Sequence, residues 1–187
     1  NKIDLTRDLF FSEGILDVLN HASDKAIYGS KLGIDATTKI EGEYEPKIKP
    51  IDNSKTTSSL SENVLEVFLE LTSCKILEPN DFHQVALATL NKKTLQQGCK
   101  IIEKFMKDKR FSSITIFVVL ESHENVNDAS TVLWKILNNI DPKRDMYIFG
   151  NRIGIDVTCK TGDPDYKQDW PAEIEMSNNI KKIVDQK

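Results

Sequence analysis

Three shortages narrow what this chain can be. Cysteine is scarce and odd in number: Cys74, Cys99 and Cys159 stand far apart with no Cys-x-x-Cys pair among them. That argues against a disulfide framework and against a zinc site, and fits reduced thiols in a cytoplasmic protein. Positive charge is not in excess, since 25 Lys and Arg face 29 Asp and Glu for a net charge of −4 and a pI of about 5.5. No basic field exists to hold a phosphate backbone, so nucleic acid is not an expected partner. No run approaches the roughly 18 apolar residues of a membrane span, and no charged-then-apolar signal opens the chain. Nucleotide and hydrolase signatures are missing as well, with no Gly-x-Gly-x-x-Gly after a strand, no P-loop and no Gly-x-Ser-x-Gly elbow. His21, His83 and His123 lack the spacing of a helical metal pair and are expected at the surface or half-buried.

What is present is an ordinary globular composition, 39% hydrophobic and 29% charged, in 187 residues, enough for one core and one domain over 1–187. The chain opens on Asn1 and runs almost at once into an Arg-Asp strand, as expected of a piece of a longer polypeptide. Its most informative feature is a repeat. Gly29-Ser30-Lys31-Leu32-Gly33-Ile34-Asp35-Ala36-Thr37-Thr38-Lys39 returns as Gly150-Asn151-Arg152-Ile153-Gly154-Ile155-Asp156-Val157-Thr158-Cys159-Lys160. Each copy follows an Arg-Asp pair and an apolar run, Arg7-Asp8-Leu9-Phe10-Phe11 and Arg144-Asp145-Met146-Tyr147-Ile148-Phe149. The expected unit is a short strand followed by a glycine-punctuated loop.

Residues 42–60 carry Pro46, Pro50 and a Lys-Thr-Thr-Ser-Ser tract and read as an irregular connection. Ser59-x-x-Glu62 has capping-box spacing, and Val64, Leu65, Phe68, Leu69 and Leu71 predict a helix over about residues 60–73. Val85–Leu90 is a candidate buried strand, and Leu95, Cys99, Ile102, Phe105 and Met106 form a helical stripe. Ile114–Leu120, apolar and β-branched, predicts the central strand, covered on both faces. Asn127 or Asp128 can cap the next helix, whose predicted buried face is Val132, Leu133, Ile136, Leu137 and Ile140, ended by Asp141-Pro142. A polar wrap follows the second motif, and a terminal helix around Ile174, Met176, Ile180 and Ile183 is expected to pack on the domain or, as the alternative, to dock on another subunit or domain, within a tail of residues 161–187. Strand, helix, strand, helix, strand gives an α/β fold, a three-layer α/β/α sandwich with a mostly parallel sheet, irregular wraps and a C-terminal helix.

Asp35 and Asp156 are the tempting carboxylates, each after a glycine in an expected loop. The competing structural role is an Asx turn closed by the Thr two residues on. Lys31 and Arg152 could meet an anion, or be solvated or paired with an acid. The cysteines show no helix terminus or His partner that would activate a thiol. Local chemistry alone assembles no complete active site.

The stretch Leu16-Asp17-Val18-Leu19-Asn20-His21-Ala22-Ser23, taken with Gly29 through Thr37, resembles the closing signature of the UbiD family. Further resemblance lies in Ile114–Leu120, Asn125-Val126-Asn127-Asp128, Val132–Leu137 and Asp141-Pro142-Lys143-Arg144-Asp145. The acidic turn departs from the family's run of aspartates, being Glu121-Ser122-His123-Glu124 here, and the closing motif occurs twice.

The resemblance implies the C-terminal α/β domain of a non-oxidative carboxy-lyase. Such enzymes use prenylated FMN on aromatic acids such as 4-hydroxybenzoate derivatives, as in ubiquinone and menaquinone biosynthesis. It also implies that the flavin, a divalent metal (Mn), K+ and an Arg-Glu-Glu catalytic set belong to an upstream flavin-binding domain absent here. On that footing this chain holds no catalytic residue, binds no cofactor alone and is inactive alone. Its implied part is to shape the substrate cavity and the domain and subunit contacts of a homo-oligomer. Leu16, Asp17, Val18 and Leu19 are the implied substrate-lining residues, and Lys92 the implied approach to the flavin phosphate. The alternative is an interaction or oligomerisation module without a direct part in catalysis.

Overall fold

The computed structural model describes residues 3–16, 28–43, 57–77, 83–170 and 176–186. Strands β1 (Leu9–Leu16) and β2 (Tyr28–Ile34) pair antiparallel as a separate two-stranded sheet. The main sheet has five strands: β3 (Leu71–Ile76), β4 (Val85–Leu90), β5 (Ile116–Glu121), β6 (Met146–Ile148) and β7 (Ile153–Asp156), in the order β3-β4-β5-β7-β6. The central three, β4, β5 and β7, run parallel, while β3 and β6 are antiparallel edges. The helices are α1 (Thr57–Val67), α2 (Gln97–Lys107), α3 (Ala129–Asn138), the single turn α4 (Pro142–Asp145) and α5 (Asn178–Asp185).

Strands β4 and β5 are apolar at nearly every position, Thr89 and Glu121 excepted, because both faces are covered. Ala86, Ala88, Leu90, Phe117 and Val119 join a core with α1 and α2, built around Val64, Phe68, Ile102 and Phe105. Leu87, Val118 and Leu120 point the other way, into a second core with Val132, Ile140, Ile153, Ile155 and the β1–β2 residues Leu9, Phe11 and Leu32. Alternation of side chains across the pleat divides one apolar run between two cores. The α/β class, the parallel centre and the central place of β5 are as the sequence led us to expect.

Several expectations need correction. The repeated Gly-x-x-x-Gly-Ile-Asp stretches are not loops: Tyr28–Ile34 and Ile153–Asp156 are strands, each paired with the apolar run before it. Gly33 and Gly154 serve close packing, against Phe10 and Ile102, while Gly150, at φ +59°, turns the chain between β6 and β7. The expected helix over 60–73 joins two elements, since α1 ends at Val67 and Leu71 begins β3. Ser59 lies inside α1 and therefore caps nothing. Asp128 does cap α3, accepting from the Ser130 and Thr131 amides at 3.1 Å each. The buried side of α3, however, is Val132 and Lys135, while Leu133 and Leu137 are exposed. Lys135 takes the inner position because Glu124 meets its ammonium at 2.8 Å. In α5 no residue is buried, so Ile180 and Ile183 do not pack on the domain; Ile174 lies outside the described residues.

Candidate functional site

The two motif copies fold into the same object. Asp8 and Asp145 each close a turn, their amides donating to the Asp4 and Asp141 carbonyls at 2.7 and 2.8 Å, while their Oδ2 atoms accept from the Asp4 and Asp141 amides at 2.8 Å. Each turn feeds a hairpin in one register: Leu9, Phe10 and Phe11 face Ile34, Gly33 and Leu32, as Met146, Tyr147 and Ile148 face Ile155, Gly154 and Ile153. At the strand ends Asp35 accepts from Thr37, amide at 2.9 Å and hydroxyl at 2.5 Å, and Asp156 accepts from Thr158 at 3.0 and 2.7 Å. The Asx-type role is what the structure contains. Four residues on, a lysine bridges both carboxylates of its copy. Lys39 Nζ lies 2.6 Å from Asp35 and 3.4 Å from Asp8, and Lys160 Nζ lies 3.1 Å from Asp156 and 3.8 Å from Asp145.

Their surroundings differ. Asp156 is sealed under the first turn of α2, where a Cβ at Gly98 would collide with its carboxylate, and Gly154 lies against Ile102 of α2. Burial pushes the Asp145 carboxyl upward, against the opposing pull of Lys160 and Arg144. In the first copy the Asp35 side chain is 44% exposed, with hydrogen bonds from Lys39 and Thr37 holding it well below the usual carboxylate range.

The copies also dock on one another. The Ser30 amide and hydroxyl both reach the Asp141 carboxylate, the former at 3.0 Å, and Ser30 Oγ accepts from the Lys143 amide at 2.8 Å. In return Asn151, which occupies the Ser30 position of the second copy, accepts from the Leu5 amide at 3.3 Å. Each copy's second motif residue thus touches the other copy's Asp-x-x-Arg-Asp turn.

Beside this junction opens a cleft of about 640 Å³ between β1–β2, the start of α2, α4 and β6. Its polar lining includes the hydroxyls of Tyr28, Ser30 and Tyr147, the Cys99 thiol, the cations Lys143 and Arg144, and the carboxylates of Glu13, Asp141 and Asp165. Lys143 pairs with Glu13, and Arg144 grips Asp145 through two bonds of 2.7 and 2.6 Å. Burial and a hydrogen bond with Cys99 push the Tyr147 hydroxyl upward, keeping it a neutral donor. Cys99 sits in the first turn of α2, a helix terminus that sequence inspection missed. The cleft can bind a polar molecule, and it places the Ser30 hydroxyl on the Asp141 carboxylate. Of the thiols, Cys74 in β3 is the inert one, pushed up to about 12 by burial. We expect Cys74 to stay unlabelled by a disulfide reagent at pH 8 in the folded protein, because only about one thiol in ten thousand is then ionised; peptide mapping after labelling checks this.

The sequence profile described as the 3-octaprenyl-4-hydroxybenzoate carboxy-lyase C-terminal domain matches residues 55–167. The chain belongs to this UbiD family. Uncharacterized proteins of Helicobacter pylori strains 26695 and J99 are each 29% identical over 175 residues, covering 91% of this chain and 27% of the relative. An uncharacterized protein of Archaeoglobus fulgidus is 28% identical over 121 residues, 56% of this chain and 25% of the relative. The chain thus spans about a quarter of these relatives' length. Among solved structures, the vanillic acid decarboxylase of Sedimentibacter hydroxybenzoicus shares the fold with a TM-score of 0.55 at 9% identity, covering 70% of this chain and 31% of that one. An evolved dimeric form of the UbiD-class enzyme HmfF from Pelotomaculum thermopropionicum, in complex with prFMN, gives 0.51 at 19% identity, covering 70% and 29%.

For the UbiD residues singled out from sequence, the structure gives these placements. Leu16 ends β1 and is exposed, while Asp17, Val18 and Leu19 lie outside the described residues. Lys92, after β4, donates to the Cys159 carbonyl at 2.6 Å and to Asp163 at 2.7 Å. Arg152 is half-buried, and its guanidinium donates to the Ile114, Met106 and Phe111 carbonyls at 2.7–2.8 Å. Among the described residues no group of three or more His, Cys, Asp or Glu could hold a metal ion. Lys92 thus already has Asp163 as its ion-pair partner. Among them, too, no helix is long and apolar enough to cross a membrane.

Proposed function

We propose that this UbiD-family chain is the closing part of a decarboxylase. It would act non-oxidatively on an aromatic acid of the 4-hydroxybenzoate kind, in the formation of ubiquinone or menaquinone. The supporting observation is the family match over residues 55–167 in a chain that spans about a quarter of its relatives. Prenylated FMN, with a divalent metal and K+, is held in this proposal by an upstream domain and supplies the bond-breaking chemistry. The role of this chain is to shape the cavity through Leu16–Leu19 and to hold domain and subunit contacts. Lys92 stands at the carboxyl end of β4, the end where open α/β sheets bind ligands, and would exchange Asp163 for the flavin phosphate.

The test is CO2 release from 4-hydroxybenzoate-type acids by the full-length gene product, co-expressed with a flavin prenyltransferase. Turnover is expected, and Leu16→Arg should lower kcat/KM by about tenfold or more by placing a charge against the apolar ring. Full flavin loading with no CO2 from any such acid would sink the substrate assignment. A second possibility, an interaction module, is favoured by the exposed Leu133, Trp134 and Leu137 of α3. It gains if replacing these residues by Ser alters sedimentation of the full-length protein and leaves turnover intact.

A further inference from the structure

The second motif copy is complete: β7 is flanked by β6 and β5, and α2 lies over Gly154 and Asp156. The first copy has the same hairpin and nothing corresponding to β5 or α2 among the described residues. Because the Asp35 amide donates to the Asp8 carbonyl at 2.8 Å, ladder alternation turns the Leu32 and Ile34 backbone groups away from β1. In the second copy the same edge is satisfied by β5: the Ile153 and Val157 amides donate to Thr115 and Val119 at 2.7 and 2.8 Å, and Phe117 and Val118 face Gly154 and Ile155 in parallel register.

Side chains tell the same story. Ile155 is 8% exposed and Ile34 51%. Gly154 meets Ile102, whereas Gly33 lies against the ring of Phe10, itself 63% exposed. The Asp-Thr-Lys cluster of the second copy is buried under Gly98; that of the first is left open on one side. An unpaired strand edge bearing apolar side chains is a docking surface, and its complement is given by the second copy.

We propose that a second α/β unit of this same design, carried by the same polypeptide ahead of Asn1, completes the first copy. Its central apolar strand pairs in parallel with Leu32–Ile34, and a helix with glycine in its first turn covers Gly33 and Asp35. The two units then face each other across the Ser30–Asp141 and Asn151–Leu5 contacts as a pseudo-symmetric pair within one chain. Two observations select this occupant. The family profile begins at residue 55, so the first closing motif stands outside it without the strands and helices that the second closes. Among the described residues a second copy of this chain offers no free central strand to pair in parallel, because its β5 already lies between β4 and β7. Room exists, since nearly three quarters of the Helicobacter pylori relative lies beyond the match. The inference goes beyond the proposed decarboxylation and is independent of the substrate.

Hydrogen exchange on the full-length gene product tests it. The Leu32 and Ile34 amides are expected to be protected to within about tenfold of Ile153 and Ile155. Exchange at the rate of an open hairpin edge would overturn the proposal, and so would protection lost on dilution, which would assign the edge to a separate molecule. In the same protein, Gly33→Val should lower β2 protection by about tenfold or more, because the covering helix leaves no room for a side chain. An unchanged pattern would mean that only the Phe10 ring had to swing aside, and would refute the helix.

Discussion

Replacing Lys160 by Met should cost about 3–5 kcal/mol, the usual penalty for removing one partner from a buried charge cluster. The ammonium is almost fully buried between Asp145 and Asp156 and also donates to the Asp156 and Thr158 carbonyls at 3.0 and 2.6 Å. Met fills most of the volume, so the loss comes from two carboxylates and two carbonyls that lose the ammonium between them, with Arg144 still paired to Asp145. In thermal unfolding the midpoint should fall on the order of 10 °C. Adding Asp156→Asn to Lys160→Met should restore part of the loss by removing one stranded charge. A midpoint within a degree or two of the parent for Lys160→Met would show that the cluster is not stabilising.

Phe105→Ala should be comparably damaging, about 3–5 kcal/mol, because the ring is fully buried at the junction of three others. Its centroid lies 3.8 Å from that of Phe117 and 5.0 Å from that of Phe111, both nearly parallel, and 5.6 Å from that of Phe68. The guanidinium of Arg152 stands 5.8 Å from the same ring while binding three carbonyls of the surrounding turn. Truncation opens a cavity that β5 and α2 cannot close without disturbing that cap. Leu137→Ala on the exposed side of α3 is the control, with an expected change within about 0.5 kcal/mol. Chemical denaturation of the two variants separates these outcomes.

Much of the fold was legible where apolar pattern and burial coincide. β4, β5 and the stripe of α2 lie in the middle of the sheet and its α2 face, so unbroken or 3.6-periodic apolar runs marked them. β3 was missed because Leu71-Thr-Ser-Cys-Lys-Ile is an edge strand whose polar residues Thr72 and Ser73 meet Thr89 across the sheet, giving it no strong pattern. Helical spacing places Leu133 and Leu137 in the core, but Glu124 holds Lys135 inward and those leucines face out. At the candidate site, the repeat was visible as letters while its geometry was not. Glycines look like loop formers in a sequence, and only packing shows that Gly98 and Gly154 are small so that Asp156 and Ile102 can approach. Arg152 reads as a loop cation that meets an anion, is solvated or pairs with an acid, because nothing local announces three carbonyls from distant turns.

The sequence by itself determined the α/β class, the family and the existence of two closing motifs, since each is written in short-range pattern and residue identity. The tertiary structure decided what those motifs are: lysine-bridged carboxylate hairpins that dock on one another, one buried under α2 and beside β5, the other with an open edge. The physical reason is that burial and charge pairing depend on which distant backbone covers a residue, so two near-identical stretches can carry one chemistry and two environments.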